Sequence, residues 1–290
     1  MNISYGILSS GNLGLQCLKY LHLTQNINFV FTDKKSDGII SFCNDNNIPL
    51  FIGNPRGAKS SCFLSNFDTD VILSLNYLFI VEDDIISHAN KYSINFHGSC
   101  LPKYRGRTPH VWAIINDEKE TGITAHKLTE GCDEGDIIYQ EKITIAQDIT
   151  GAELLDIYNE RYIIIIQKLI NKIEKNTITF IPQDETKATF YGKRTPDDGQ
   201  INWSWQKERI YNWIRAQAKP YPGAFTYCKN KKIVIHKIQY SDFGYNDSDP
   251  NGIVLQTESN IIIKTPNGAI CLLDYDFASD EKIVKGEILV

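Results

Sequence analysis

The first hundred residues alternate short apolar, β-rich runs with helix-compatible stretches, and this alternation restricts the fold more than any other feature of the chain. Ile3 to Leu8 is followed by Ser9, Ser10, Gly11, Asn12 and Gly14, and then by Leu15, Cys17, Leu18 and Leu21 at helical spacing. The stretch reads as strand, glycine turn, helix. Ile27 to Thr32, Ile48 to Ile52, Val71 to Leu75 and Tyr92 to His97 supply further strands, with helices expected at Ile39 to Asn46 and Glu82 to Asn90. Strands separated by helices need crossover connections, so an α/β fold with a mainly parallel sheet and helices on both faces follows.

Downstream, Thr108-Pro109 reads as an N-cap and first helical position, and Gly151 to Glu174 as one long helix. Periodicity then lapses over Ile181 to Gln200, where Pro182, Gly192, Pro196 and Asp197-Asp198-Gly199 punctuate the chain. Ser204 is placed to cap a helix to about Ala218, which Pro220, Pro222 and Gly223 stop. Five short β-rich runs follow between Ala224 and Leu273, separated by turns such as Asn251-Gly252 and Asn267-Gly268. These suit a small β-barrel. The expected organisation is a catalytic domain over 1–181, a linker over 182–204, and a linker helix with a small barrel-like domain over 205–290.

Charge and cysteine content narrow the class of partner. Thirty basic and 35 acidic residues give a net charge of −5, without a run of like charge that would act as a nucleic-acid arm or membrane patch. The seven cysteines are scattered singly with no CxxC pair, which reads as reduced thiols in a cytoplasmic protein and gives no metal site. The start lacks the basic and apolar regions of a signal peptide, so no export is expected. The apolar stretches Val71 to Val81 and Tyr162 to Ile166 fall short of the roughly 20 residues a membrane span needs.

The strongest chemical signal lies at the end of the Tyr92 to His97 strand. Residues two apart on a strand share a face, so Asn95 and His97 project together while Ile94 and Phe96 turn to the core. A loop, Gly98 to Arg107, follows at the strand end where α/β sheets place their ligands. Further on, Gly131-Cys132-Asp133-Glu134-Gly135-Asp136 forms an acidic turn between two apolar runs. Alone it reads as a solvated hairpin loop; folded over the strand end, a carboxylate there would fix the His97 tautomer and complete an Asn, His, Asp group suited to carbonyl chemistry. SSGNLG is not a full GxGxxG, and Asp33 is the nearest acidic residue for a ribose; a dinucleotide-binding oxidoreductase is the alternative from another reaction class.

The segment from Asn95 to Arg107, then Glu120-Thr121-Gly122-Ile123-Thr124, then Asp133 to Asp136, resembles the folate-dependent formyltransferase family in order and separation. The resemblance implies a Rossmann-like catalytic domain, 10-formyltetrahydrofolate as co-substrate, no metal, and a catalytic trio of Asn95, His97 and Asp133. In that scheme Asn95 donates to the developing oxyanion, His97 accepts the amine proton or steadies the charge, and Asp133 orients His97. The pterin would be held near Asn76, Tyr77 and Leu78 and by the turn carrying Asp133 and Asp136. His110, His126 and His236 have no motif partner and read as structural or exposed.

Family members formylate methionyl-tRNA, nucleotide-linked amino sugars or hydroxyornithine, and others hydrolyse the co-substrate. Binding tRNA needs many phosphate-neutralising cations. Residues Thr32 to Asp37 offer only Lys34 and Lys35, and residues 201–290 hold 11 basic against 10 acidic side chains, so no nucleic-acid partner is expected. Leu101 to Pro109 with Trp112 and Asn116, Gly192 to Gly199, and Pro220 to Phe225 look like the formyltransferase domain of the lipid A 4-amino-4-deoxy-L-arabinose modification enzyme. That likeness implies a nucleotide-linked 4-amino sugar as acceptor. Lys103, Tyr104, Arg105, Arg107, Lys193 and Arg194 are its candidate contacts, although each cation also suits a structural ion pair. Tyr104, Trp112, Trp203, Trp205, Trp213 and Tyr221 suit stacking on a base or sugar, or core packing. A homodimer joined through the small domain is a further expectation from the family.

Overall fold

A computed structural model describes residues 3–277 and 282–290. The strands are β1 (Ser4–Ser9), β2 (Asn26–Thr32), β3 (Leu50–Ile52), β4 (Thr69–Leu75), β5 (Ala89–His97), β6 (Arg105–Gly106), β7 (Glu120–Lys127), β8 (Ile137–Thr144), β9 (Phe190–Tyr191), β10 (Ala224–Cys228), β11 (Lys231–Ser241), β12 (Val254–Gln256), β13 (Ile262–Thr265) and β14 (Gly268–Phe277). The helices are α1 (Gly11–Thr24), α2 (Asp37–Asp45), α3 (Ala58–Leu64), α4 (Asp83–Ile86), α5 (Pro109–Ile115), α6 (Gly151–Glu174) and α7 (Lys207–Ala216). Two compact units result: 1–107 with 121–143 and 157–191, and 108–120 with 144–156 and 192–290. The main division, at 191/192, falls inside the stretch read as a linker. The expected scheme did not include the two excursions, 108–120 and 144–156, that join the second unit.

In the first unit one seven-stranded sheet runs in the order β3-β2-β1-β4-β5-β7-β8. The pairs from β3 through β5 are parallel, and β7 runs antiparallel to β5. Strand order reverses between β1 and β4, which opens the crevice where such sheets bind ligands. Leu8, Phe29, Phe31, Leu64, Ile72, Val81 and Ile85 pack together as core, each worth roughly 1.5–3 kcal/mol by burial. Gly6 is required by this packing: a Cβ there would lie 2.3 Å from the Phe29 ring. The helix expected over Glu82 to Asn90 is confined to the four residues of α4, because β-branched and aromatic residues from Ala89 onward are drawn into pairing with β4.

The second unit holds an antiparallel sheet ordered β10-β11-β14-β13-β12. Its open edges are joined by the C-terminal segment: Val290 exchanges hydrogen bonds with Tyr227 of β10, while Leu289 bonds Gly252 and Val254 bonds Glu287 beside β12. The closure makes the expected small barrel and removes exposed edges. Two helix starts differ from expectation. Thr108 is left-handed (φ 49°) and its side chain caps nothing, although Pro109 does open α5. Helix α7 begins at Lys207, because Asn202 Oδ1 accepts the Ser204 N–H and holds 202–205 as a turn.

Candidate active site

Strand β5 delivers Asn95 and His97 to the same face beside the crevice, and its pairing with β7 sets His126 directly opposite Asn95. The turn between β7 and β8 brings in Asp133, which is left-handed (φ 56°). Gly135 permits this fold-over, since a Cβ there would meet the Lys127 carbonyl at 1.9 Å. The three residues expected to form the trio are therefore together. His97 Nδ1 lies 3.4 Å from Asp133 Oδ2, and the Asn95 amide donates to Asp133 Oδ1 at 3.2 Å.

His97 is 6% exposed, and its Nε2 lies 2.7 Å from the Tyr104 carbonyl. A carbonyl only accepts, so Nε2 carries the proton and the neutral ring keeps its lone pair on Nδ1, toward Asp133. Burial is the largest influence on this imidazole and takes its pKa below the ordinary 6.5, against the opposing pull of Asp133 and the Tyr104 carbonyl. Burial pushes the Asp133 carboxyl upward, but the attraction of His97 and His126 when protonated, with the Gly106 N–H, outweighs it and holds the group well below the usual carboxylate range. Gly106 N donates to Asp133 Oδ2 at 2.9 Å. A neutral imidazole beside a fixed carboxylate is a proton acceptor whose charged form has a waiting counter-ion.

A brace holds the Asp133 turn from behind. Gln183 Nε2 donates to the carbonyls of Asp133 (2.8 Å) and Gly135 (2.7 Å), and its Oε1 accepts from the Arg105 Nε and terminal nitrogens at 3.3 and 2.8 Å. Arg105 also forks onto both oxygens of Glu185 at 2.8 and 2.6 Å, and lies over the Phe190 ring. Arg105 is 1% exposed, and these partners match the structural ion pair weighed beside a nucleotide-sugar contact for it.

The other expected contacts are distributed as follows. Tyr104 is buried and stacks on Tyr191 at 4.8 Å, while Lys103 is exposed. Arg107 donates to the Leu78 carbonyl. Asn76, left-handed after β4, donates to the Ser10 carbonyl at 2.9 Å, and Tyr77 packs on the core with its hydroxyl buried and unpartnered. Asp136 accepts the Lys127 N–H through its carbonyl. Asp33, the acidic residue weighed for a ribose, is buried and accepts from Ser36 Oγ at 2.6 Å. Lys193 and Arg194 belong to the second unit, where Arg194 lies over the Trp112 and Trp213 rings. Sequence reasoning missed His126, Gln183 and Glu185. For His126 the usable signal was the alternation Thr124, His126 on a strand, which has meaning only once β7 is known to pair with β5. Among the described residues no group of three His, Cys, Asp or Glu is placed to hold a metal ion, and no helix is long and apolar enough to cross a membrane.

The formyl transferase family profile matches residues 11–163, and the profile of the formyl transferase C-terminal domain matches 193–288. The chain belongs to the formyl transferase family. The bifunctional polymyxin resistance protein ArnA of Wigglesworthia glossinidia brevipalpis is 36% identical over 249 residues, which is 81% of this chain and 37% of the relative, so the chain spans little more than a third of that protein. The structure of WlaRD, a sugar 3N-formyl transferase in the presence of dTDP and 5-N-formyl-THF, has a TM-score of 0.71 at 23% identity, covering 94% of this chain and 97% of that one. The N-formyltransferase of Helicobacter canadensis, in complex with folinic acid and dTDP-3-aminofucose, has a TM-score of 0.73 at 21% identity, covering 93% and 98%. These two likenesses establish a shared fold.

Proposed function

We propose that this formyltransferase moves the formyl group of 10-formyltetrahydrofolate to the amine of a nucleotide-linked 4-amino sugar: UDP-4-amino-4-deoxy-L-arabinose, or a dTDP- or GDP-4-amino-4,6-dideoxyhexose. The observation that carries the reading is the buried His97 at the end of β5, with Nδ1 3.4 Å from an Asp133 carboxylate that also accepts from Asn95. The likeness to ArnA supports a nucleotide sugar as acceptor, and the dTDP species bound to the two structural neighbours support it at the level of class. A cytoplasmic setting and a product destined for lipid A or surface polysaccharide are part of the same proposal.

The residues after β4 fit a flat, partly apolar co-substrate: Leu78 and Ile80 are 43% and 62% exposed, and the Tyr77 hydroxyl is buried without a partner. Asn76, Tyr77, Leu78 and Asp136 would hold it. The co-substrate supplies the formyl carbon: the amine N–C bond forms, the N10–C bond breaks, and the proton lost by the amine ends on N10. His97 takes that proton at Nδ1 on its way, Asp133 holds the imidazolium, and the Tyr104 carbonyl keeps the ring in place. Lys103, Arg107 and Lys193 remain candidate contacts for the sugar nucleotide.

The test is product mass spectrometry with 10-formyltetrahydrofolate and a panel of UDP-, dTDP- and GDP-linked 4-amino and 3-amino sugars, hydroxyornithine and methionyl-tRNA. A single formyl gained by a 4-amino sugar nucleotide is the expected result. Transfer to a 3-amino sugar would keep the class and overturn the regiochemistry, whereas formylated tRNA or hydroxyornithine would overturn the acceptor class.

A further inference from the structure

Two residues around His97, Tyr104 (φ 61°) and Asp133 (φ 56°), hold the left-handed conformation that side chains other than glycine rarely adopt. Each carries a group that meets His97: the Tyr104 carbonyl lies 2.7 Å from Nε2, and Asp133 Oδ2 lies 3.4 Å from Nδ1. Such backbone persists only where its surroundings hold it, and one stretch of chain, 183–191, holds both. Gln183 grips the Asp133 carbonyl. Thr189 brackets the Tyr104–Arg105 peptide, its hydroxyl accepting the Tyr104 N–H at 2.8 Å and its carbonyl the Arg105 N–H at 2.9 Å. The N–H and C=O of a trans peptide point in opposite directions. Fixing the Arg105 N–H on Thr189 therefore turns the Tyr104 carbonyl the other way, onto His97. The same pairing runs on as β6 against β9, where the Arg107 N–H meets the Tyr191 carbonyl.

We propose that Thr189 is a positioning residue for formyl transfer: through the Tyr104–Arg105 peptide it presents the carbonyl that keeps a proton on His97 Nε2 and holds the imidazole with Nδ1 toward Asp133. A carbonyl only accepts, so Nε2 carries that proton whether the ring is neutral or charged. Thr189 acts from a distance, since none of its hydrogen bonds reaches His97 itself. Its side chain is exposed, so a change of side chain there opens no cavity in the core. The proposal rests on the formyl-transfer reading for its kinetic consequence, but the state of the His97 ring does not depend on that reading.

Two measurements test it. In proton–nitrogen correlation spectra of the ¹⁵N-histidine-labelled protein, with His97 assigned by loss of its signals in His97→Ala, Nε2 is expected to be pyrrole-like with a downfield proton. A pyridine-like Nε2 in the wild type would overturn the proposal whatever the acceptor proves to be. Thr189→Val keeps the shape and the backbone bond but removes the hydroxyl acceptor; it is expected to move that proton upfield and to lower kcat about fivefold, with an unchanged KM for 10-formyltetrahydrofolate. Thr189→Ser, which restores the acceptor, is expected to recover both. An unmoved proton in the valine variant, wild-type kcat there, or no recovery in a folded serine variant would overturn the positioning role. A wild-type protein that formylates no amine would instead sink the functional reading and leave the spectroscopic result standing.

Discussion

Arg105 in the first unit is buried and Arg194 in the second is half-buried, and their surroundings differ in kind. Arg105 is held by a carboxylate and a carboxamide, and the Glu185 hydrogen bond raises its pKa. Arg194 lies 5.0 and 4.3 Å from the centroids of two indoles and donates only to neutral oxygens, those of Asp198 (backbone) and Gln217, and burial lowers its pKa. The first network runs on through Gln183 to the turn carrying Asp133; the second ends in the packing of its own unit. A cation held by the fold thus serves position in one place and cohesion in the other, and what separates the two is whether its partners continue toward groups that can exchange protons.

The largest expected effect breaks the chemical end of that contrast. His97→Ala and Asp133→Ala should each lower kcat by about 10²- to 10⁴-fold, the usual range for removing a general acid–base group, with melting temperature little changed. Steady-state kinetics beside thermal melts check this; near-normal turnover in both would sink the mechanism. Next, Gln183→Ala frees two carbonyls of the Asp133 turn without touching a group that meets substrate. It should reduce kcat about tenfold, in line with the loss of a positioning network worth one or two hydrogen bonds. An unchanged kcat in Gln183→Ala would confine the brace to stability.

How far these sites were legible follows from the range over which each residue interacts. Asn95 and His97 could be paired from sequence because strand alternation is local, and Asp133 joined them through the family resemblance. By charge type Arg105 suited either the sugar nucleotide or a structural ion pair; its partners in the fold, Gln183 and Glu185, lie 78 and 80 residues away in a stretch that reads as linker. His126 read as having no motif partner for the same reason, because it meets Asn95 only through the antiparallel register of β7 on β5. The sheet and barrel were readable from periodicity and turns. Closure of the barrel by Gly286 to Val290 was not, since that segment is not a named strand and bonds to two different ones.

Arg194→Leu sharpens the cohesive side. Losing contacts to two aromatic rings should cost about 1–3 kcal/mol, or a fall in melting temperature of several degrees for a chain of this size, with kcat unchanged. A selective rise in KM for the sugar nucleotide would return Arg194 to the role of a phosphate contact and dissolve the contrast.

The smallest effect concerns pH, and it isolates the electrostatics of the first site. In the proposed mechanism the competent base is neutral His97, so activity is lost as pH falls through its pKa. Burial takes that pKa below 6.5, Arg105 pushes the same way, and Asp133 and the Tyr104 carbonyl push back. The acid limb of kcat/KM should therefore turn below pH 6.5. In Asp133→Asn the main opposing influence is gone, so the limb of the residual activity should move to still lower pH. A limb that moved upward in Asp133→Asn would mean that the titrating group is not His97, and one left in place would mean that Asp133 and His97 are not electrostatically coupled as their 3.4 Å separation requires.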